Sequence, residues 1–358
     1  MNTSEKLALI KQVGEEIVTE EGLKHILDTK KQPIAYDGFE PSGTNIHIAQ
    51  GLLKAININK MTKAGCKFKI LVADWHAWAN NKMGGNLEKI QKVGLYLIEV
   101  WKACDMDLKN VEFVWANDLM KDQEYLKTVM QIARNSTVSR IIRCSQIMGR
   151  SESDSLQASQ ILYPCMQCAD IFHLNADITQ LGMDQRKVNV LAREIGPKLG
   201  LWKPVIVSHH MLMGLGEPPK IENVTERAIA MKMSKSNPDS AIFMTDSKED
   251  IQRKLKKAFC PEGIIEENPV LEYNKYIIFE KFSSINVERP EKNGGNMEIN
   301  SYKELEKVFS EKKLHPGDLK QATASYLDRL IEPVRQRLEK NKTAKKIAEE
   351  IKSFEVTR

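Results

Sequence analysis

Apolar residues never run far in this chain. No stretch approaches the roughly 20 residues a helix needs to span a bilayer, so no membrane role is expected. From Met1 through Leu7 onward the N-terminus is polar and amphipathic, without the hydrophobic centre of a secretory signal. Cysteine is sparse as well. The 6 present, Cys66, Cys104, Cys144, Cys165, Cys168 and Cys260, follow no disulfide-like rhythm, which places the chain in a reducing, cytoplasmic setting. Cys165 and Cys168 form a CxxC, yet a zinc site needs a second pair at suitable spacing and a redox motif needs a thioredoxin-like context. Both are absent, so the two thiols are read as small residues packing a helix. Internal repeats and low-complexity tracts are missing too. Neither sign of charge dominates: the net +5 is only mildly basic. Lysine gathers toward the C-terminus at Lys312, Lys313, Lys340, Lys342, Lys345 and Lys346, which suits either an RNA backbone or a solvated helix face.

Length and alternation are what the chain does have. Its 358 residues, 42% hydrophobic, can build two domains with a substantial core. Strand-like runs at Ile34 to Tyr36, Phe68 to Ala73, Val111 to Trp115, Ile178 to Leu181 and Val205 to Val207 alternate with helical stretches. That pattern predicts an α/β fold with a Rossmann-like, doubly wound parallel sheet. Beyond the loop at Lys232 the strand signal stops and helices rich in Lys, Glu and Leu take over, so an all-helical C-terminal domain is expected. Thr245-Asp246-Ser247 reads as a helix cap and sets the boundary, giving domains 1–245 and 246–358.

Chemistry concentrates first in Lys232-Met233-Ser234-Lys235-Ser236. Two ammonium groups and two hydroxyls in so short a loop suit a polyphosphate whose geometry changes during reaction. Far upstream, Tyr36-Asp37-Gly38-Phe39-Glu40-Pro41-Ser42-Gly43 leads through Thr44-Asn45-Ile46 to His47-Ile48-Ala49-Gln50-Gly51. This reads as a strand end, a tight turn and a helix beginning near Ala49. A strand feeding a helix N-terminus makes an anion site, with His47 expected on the first turn. Gly38 and Gly182 are places where backbone can approach a ligand closely. Tyr163, Gln167 and Asp170, spaced by four and three, project from one face of a helix surrounded by Leu162, Met166, Ala169 and Ile171. Asp74 and His76 follow the run Phe68 to Val72, where strand ends line the crevice of an open sheet; a strand-end cap is the other reading.

The loop at Lys232 and the element at His47 together resemble the paired signatures of class I aminoacyl-tRNA synthetases. The first signature is degenerate here, with Gln50 in place of a second histidine; the second matches letter for letter. With Tyr163-Pro164-Cys165-Met166-Gln167-Cys168-Ala169-Asp170 and Gly182-Met183-Asp184-Gln185, the likeness narrows to the tyrosyl-tRNA synthetases of the archaeal and eukaryotic type and runs along almost the whole chain.

That resemblance implies roles. Tyr163, Gln167 and Gln185 would hold the ammonium end of L-tyrosine, Tyr36 and Asp170 would bond its phenol, and His76 would border the same pocket. Gly38, Glu40, His47, Gly182, Asp184, Leu212, Met213, Lys232, Ser234, Lys235 and Ser236 would form the ATP side, with the Leu212-Met213-Gly214 backbone reading adenine. Catalysis would fall to His47 and Gln50, stabilising phosphate charge, and to Lys232 and Lys235, following the departing pyrophosphate. Magnesium would accompany ATP without a dedicated protein cage. Leu314-His315-Pro316-Gly317-Asp318 resembles the anticodon-reading turn, with His315 stacking and Asp318 accepting from a guanine, although Asn293 stands where the family often has an aromatic residue. Asp318 also reads as an ordinary helix cap. Helices around Val138 to Met148 and Leu156 to Leu174 would build a homodimer interface, and tRNA(Tyr) would be the macromolecular substrate. A tryptophan-specific synthetase, a non-catalytic RNA-binding relative and a nucleotidyltransferase of the same fold remain as alternatives.

Overall fold

A computed structural model describes residues 1–149, 155–222, 227, 230–231, 233 and 238–354. Its centre is a 6-stranded sheet in the order β1-β6-β5-β2-β3-β4, comprising Gly14–Val18, Ile34–Phe39, Lys67–Val72, Val111–Trp115, Ile178–Thr179 and Val205–His209 as β1 to β6. Strands β2 to β6 run parallel, and β1 closes the edge antiparallel to β6. The parallel strands are the expected five, rich in β-branched and aromatic residues that suit a sheet covered on both faces. Four of them differ in extent: β2 continues to Phe39 and β6 to His209, β3 is shifted by one residue to Lys67–Val72, and β5 shrinks to two residues. β1 was not expected, because Gly14, Glu15 and Glu16 carry no strand pattern; its edge position tolerates such residues.

Helix starts follow local chemistry. Asn86 accepts from the Lys89 N–H at 3.0 Å and opens Leu87–Trp101. Ser247 accepts from the Asp250 N–H at 3.1 Å and opens Lys248–Lys257, so the cap read at Thr245-Asp246-Ser247 is present. The expected continuous helix from Ala49 is instead a π-helical turn, Ala49–Leu53, followed by the α-helix Lys54–Lys63. Gly51 permits this turn to press on Met244, since a Cβ there would lie 2.6 Å from the Met244 sulfur.

The C-terminal part is not all helical. Ile285–Val287 (β7) and Met297–Ile299 (β8) form an antiparallel pair beside the helices Pro269–Tyr273, Tyr302–Ser310, Pro316–Lys340 and Lys342–Ile351. Three-residue strands fall below what a period-2 pattern can reveal. One buried cluster runs from Ile10 to Ile351, across position 245. Charged contacts join the same parts: the Arg337 guanidinium donates through Nε to Glu99 at 2.9 Å, and Arg335 donates to the Asp246 carbonyl at 2.7 Å.

Candidate active site

The carboxyl ends of β2, β5 and β6 open into a cavity of about 610 Å³. This is where an open α/β sheet binds ligands, at the reversal of strand order between β2 and β5. Tyr36 reaches it from β2, His76 from the helix Asp74–Ala79, and Tyr163, Gln167 and Asp170 from the helix Ala158–His173. The predicted face of that helix therefore does turn inward as one surface.

One end is sealed and polar. Asp170 is 0% exposed, and its carboxylate accepts from the Tyr125 hydroxyl at 2.8 Å while His76 Nε2 lies 3.0 Å from its other oxygen. Burial opposes protonation of His76, but Asp170, Glu40 and Asp74 outweigh it and raise the imidazole pKa above its ordinary value. Burial, reinforced by Asp170 and Asp37, pushes the Tyr36 phenol well above its ordinary value, so it stays a hydroxyl donor. Tyr125 was not foreseen. Asp74 stands apart: it accepts from the Trp75 and Asn117 N–H groups, both at 3.0 Å, and from Gln91, which makes it a strand-end cap and not a pocket residue.

The middle of the cavity is a carboxylate and amide relay. Tyr163 donates to Glu40 at 3.0 Å, and Asn80 donates to the same oxygen at 3.2 Å. Gln167 donates to Gln185 Oε1 at 3.0 Å, and Gln185 in turn donates to the Ile147 carbonyl at 3.1 Å. Burial, followed by Glu40, raises the Tyr163 pKa well above the ordinary phenol value. A primary ammonium fits here, between a carboxylate and two amide oxygens.

Glycines, histidines and charges make the remaining end. Gly38, His47, Gln50, Gly182, Asp184, Leu212 and Met233 all line it. His47 does not ride on a helical first turn. It precedes the π turn, forms a bridge with Phe243, and its carbonyl accepts from the Gln50 and Gly51 N–H groups at 2.9 and 3.0 Å. Ile48 and Met244 are tied to Ile242 and Ile46 across that bridge, which holds the His47 element against the chain just after the lysine loop. Lys232, Ser234, Lys235 and Ser236 lie outside the described residues; Met233, between them, lines the cavity. Gly182 is demanded by protein atoms, since a Cβ would lie 2.6 Å from both Asp184 Oδ1 and Met211 Sδ. At Gly38 the nearest atom to such a Cβ is the Tyr36 hydroxyl, at 3.1 Å. Met213 does not line the cavity; its N–H is bonded to Glu272 at 3.0 Å.

A model of class I tRNA synthetases for tryptophan and tyrosine matches residues 28–332. The chain is 51% identical to tyrosine–tRNA ligase 1, cytoplasmic, of Arabidopsis thaliana, covering 98% of this chain and 89% of that protein. It is 43% identical to the tyrosine–tRNA ligase of Sulfurisphaera tokodaii, covering 98% and 97%. The crystal structure of tyrosyl-tRNA synthetase complexed with L-tyrosine from Pyrococcus horikoshii superposes with a TM-score of 0.90 at 40% identity, covering 98% of this chain and 100% of that one.

The chain belongs to the tyrosyl-tRNA synthetases. Besides Tyr125, which supports Asp170 from outside the lining, sequence reasoning missed several residues of this synthetase's cavity. Asp37 and Lys54 form an ion pair on the wall, with Lys54 Nζ also 3.5 Å from the Gly38 carbonyl. His209 Nδ1 lies 2.6 Å from Gln180 Nε2, and burial holds the imidazole pKa below its ordinary value, so Nδ1 accepts. Cys165 and Cys168 are buried packing thiols, Cys165 pushed up to about 11 by burial. In the C-terminal part His315 is exposed and caps the helix Pro316–Lys340, its Nδ1 accepting from the Gly317 N–H at 3.0 Å, with Asp318 in the first turn.

Proposed function

We infer that this synthetase activates L-tyrosine with ATP, releasing pyrophosphate, and then passes the tyrosyl group from the adenylate to the 3′ end of tRNA(Tyr). The observation that carries the amino-acid assignment is Asp170, sealed from water and surrounded by Tyr36, His76 and Tyr125. A substrate phenol donates to a carboxylate that already holds two partners and has room for more. Phenylalanine leaves that carboxylate, and the Tyr36 hydroxyl, short of a buried bond. Tyrosyl-tRNA synthetase is itself the protein from which the discrimination of about 10⁴ to 10⁵ against phenylalanine is known.

The substrate ammonium is assigned to Tyr163, Gln167 and Gln185 with Glu40 as counter-charge, which leaves the carboxylate pointing toward His47, Gln50 and the lysine loop. There it attacks the α-phosphate. His47 and Gln50 stabilise charge from one side, Lys232 and Lys235 follow pyrophosphate from the other, Ser234 and Ser236 add hydroxyl donors, and Gly38, Gly182, Asp184 and Leu212 frame the nucleoside. No covalent enzyme intermediate is needed; positioning and charge stabilisation supply the rate. Among the described residues no group of three metal-ligating side chains occurs, and Mg²⁺ is proposed solely as the counter-ion of ATP.

Residues 246–358 are proposed as the tRNA-binding domain, His315 and Asp318 reading the anticodon from their exposed helix start. A homodimer is proposed through the helices Gln123–Arg134, Val138–Cys144 and Ala158–His173. Leu126, Met130, Val138 and Leu162 are exposed there at 41%, 63%, 63% and 42%, an apolar set that a twofold contact would cover. A cytoplasmic site of action is proposed with it. The test is charging: tRNA(Tyr) should accept labelled tyrosine in an ATP-dependent manner, and Asp318→Ala should weaken charging while leaving adenylate formation intact. Failure of the wild-type protein to charge tRNA(Tyr) would refute the assignment.

A further inference from the structure

Two consecutive residues beyond position 245 hold both polar groups of one peptide residue beside the active-site cavity. The Met213 N–H donates to Glu272 Oε2 at 3.0 Å, and the Tyr273 hydroxyl donates to the Met213 carbonyl at 2.9 Å. Tyr273 is fully buried, and the helix carrying both residues, Pro269–Tyr273, is anchored by Asn268, which caps it. The second oxygen of Glu272, Oε1, lies 3.2 Å from His210 Nε2. His210 in turn stacks on Tyr276 with ring centroids 4.4 Å apart at 13°, and its Nδ1 lies 3.4 Å from Glu15 of β1. One carboxylate therefore grips the segment His210 to Met213 at two points.

That segment forms part of the wall of the cavity that His47 also lines. His210 and Leu212 line the cavity directly, while Met213 is the residue immediately behind them. Downstream the Gly214 N–H donates to the Met231 carbonyl at 2.7 Å and the Leu215 N–H to the Ser240 carbonyl at 2.9 Å, so the same wall is stitched to both flanks of the lysine loop. A wall that must present backbone to a nucleotide needs its own peptide groups fixed, because backbone drift there moves the binding surface itself.

We propose that Glu272, with Tyr273 and His210, is a positioning clamp by which the C-terminal domain sets the nucleotide-facing wall at Leu212 and so governs the affinity for ATP. The proposal rests on the reading of this end of the cavity as the ATP site. Glu272 touches no substrate and is a positioning residue. Its charge-assisted bond to the Met213 N–H is stronger than a neutral one, and its bond to His210 fixes the side chain that makes the other bond productive.

The test compares wild-type, Glu272→Ala, Glu272→Gln and Tyr273→Phe proteins in tyrosine-dependent ATP–pyrophosphate exchange, with direct ATP binding by calorimetry and thermal melting alongside. Glu272→Ala should raise KM for ATP and weaken ATP binding by tenfold or more, with KM for tyrosine changed less than twofold. Glu272→Gln, which keeps an oxygen for the Met213 N–H, should recover most of that loss. Tyr273→Phe should fall between them. Equal changes in both KM values, or a lower melting temperature with unchanged ATP affinity, would overturn the clamp. If the wild type shows no exchange but binds ATP tenfold more tightly than Glu272→Ala, the activity assignment falls and the clamp stands.

Discussion

Tyr125 donates its hydroxyl to Asp170 at 2.8 Å, and both side chains are 0% exposed. The contact spans 45 positions and joins the helices Gln123–Arg134 and Ala158–His173. Asp170 is thus held in place before any substrate arrives, with one oxygen on Tyr125 and the other facing His76. A carboxylate so fixed can judge whether a ring brings a hydroxyl. One left free to rotate would judge less well.

Removing the Tyr125 hydroxyl should therefore cost both stability and recognition. Tyr125→Phe deletes one bond to a buried charge, a loss of about 1.5–3 kcal/mol in unfolding free energy. KM for tyrosine should rise by about tenfold, the equivalent of about 1.4 kcal/mol in positioning. Denaturant unfolding and tyrosine titrations of the exchange rate check the two parts separately.

Gly182→Ala should damage the nucleotide end selectively. Its Cβ would enter space held at 2.6 Å by Asp184 Oδ1 and Met211 Sδ. Met211 can swing away, but Asp184 moves only by leaving its place on the cavity wall. Overpacking of this kind costs about 1–3 kcal/mol. KM for ATP should rise well above that for tyrosine, and equal rises would show that the glycine serves the fold alone.

His210 gives the stability curve a specific pH signature. Burial opposes its charge, but Glu15 and Glu272 outweigh that and raise the imidazole pKa to about 9; His209, Lys275 and the ring of Tyr276 are its other titratable or stacked neighbours. A group whose pKa is raised on folding stabilises fully below its unfolded value of about 6.5, and that contribution fades as pH climbs through the folded value. The gap in melting temperature between wild type and His210→Asn should accordingly be fully present at about pH 6.5, shrink as pH rises toward 9, and shrink again in acid once the partner carboxylates protonate. The same contact holds the Glu15 carboxyl below its ordinary range.

Lys235→Ala should slow adenylate formation far more than it weakens tyrosine binding, because the role proposed for its ammonium is to follow pyrophosphate and not to hold the amino acid. Presteady-state adenylate formation against equilibrium tyrosine binding separates the two. Parallel losses would contradict this role.

The sheet was legible because four of its five parallel strands are mostly buried and all five read as short apolar-rich runs, and the face of Tyr163, Gln167 and Asp170 was legible because helical spacing is local. Tyr125 was not, since nothing in its own helix marks a residue whose partner lies across a tertiary contact. Asp37 sits inside a motif the sequence does single out, yet its pairing with Lys54 depends on the π turn at Ala49–Leu53, which no simple periodicity predicts. Asp74 shows the reverse failure: a carboxylate at a strand end looks like a pocket residue until its three donors are seen. Likewise the β7–β8 pair escapes notice because each strand has three residues, too few for a period-2 pattern to show.

Pyrophosphate exchange with purified protein, without tRNA and with tyrosine, tryptophan and phenylalanine at matched concentrations, tests the central claim most directly. Exchange with tyrosine, and none above background with the other two, is the predicted result. Comparable exchange with tryptophan or phenylalanine would contradict the assignment of Asp170 to a substrate phenol.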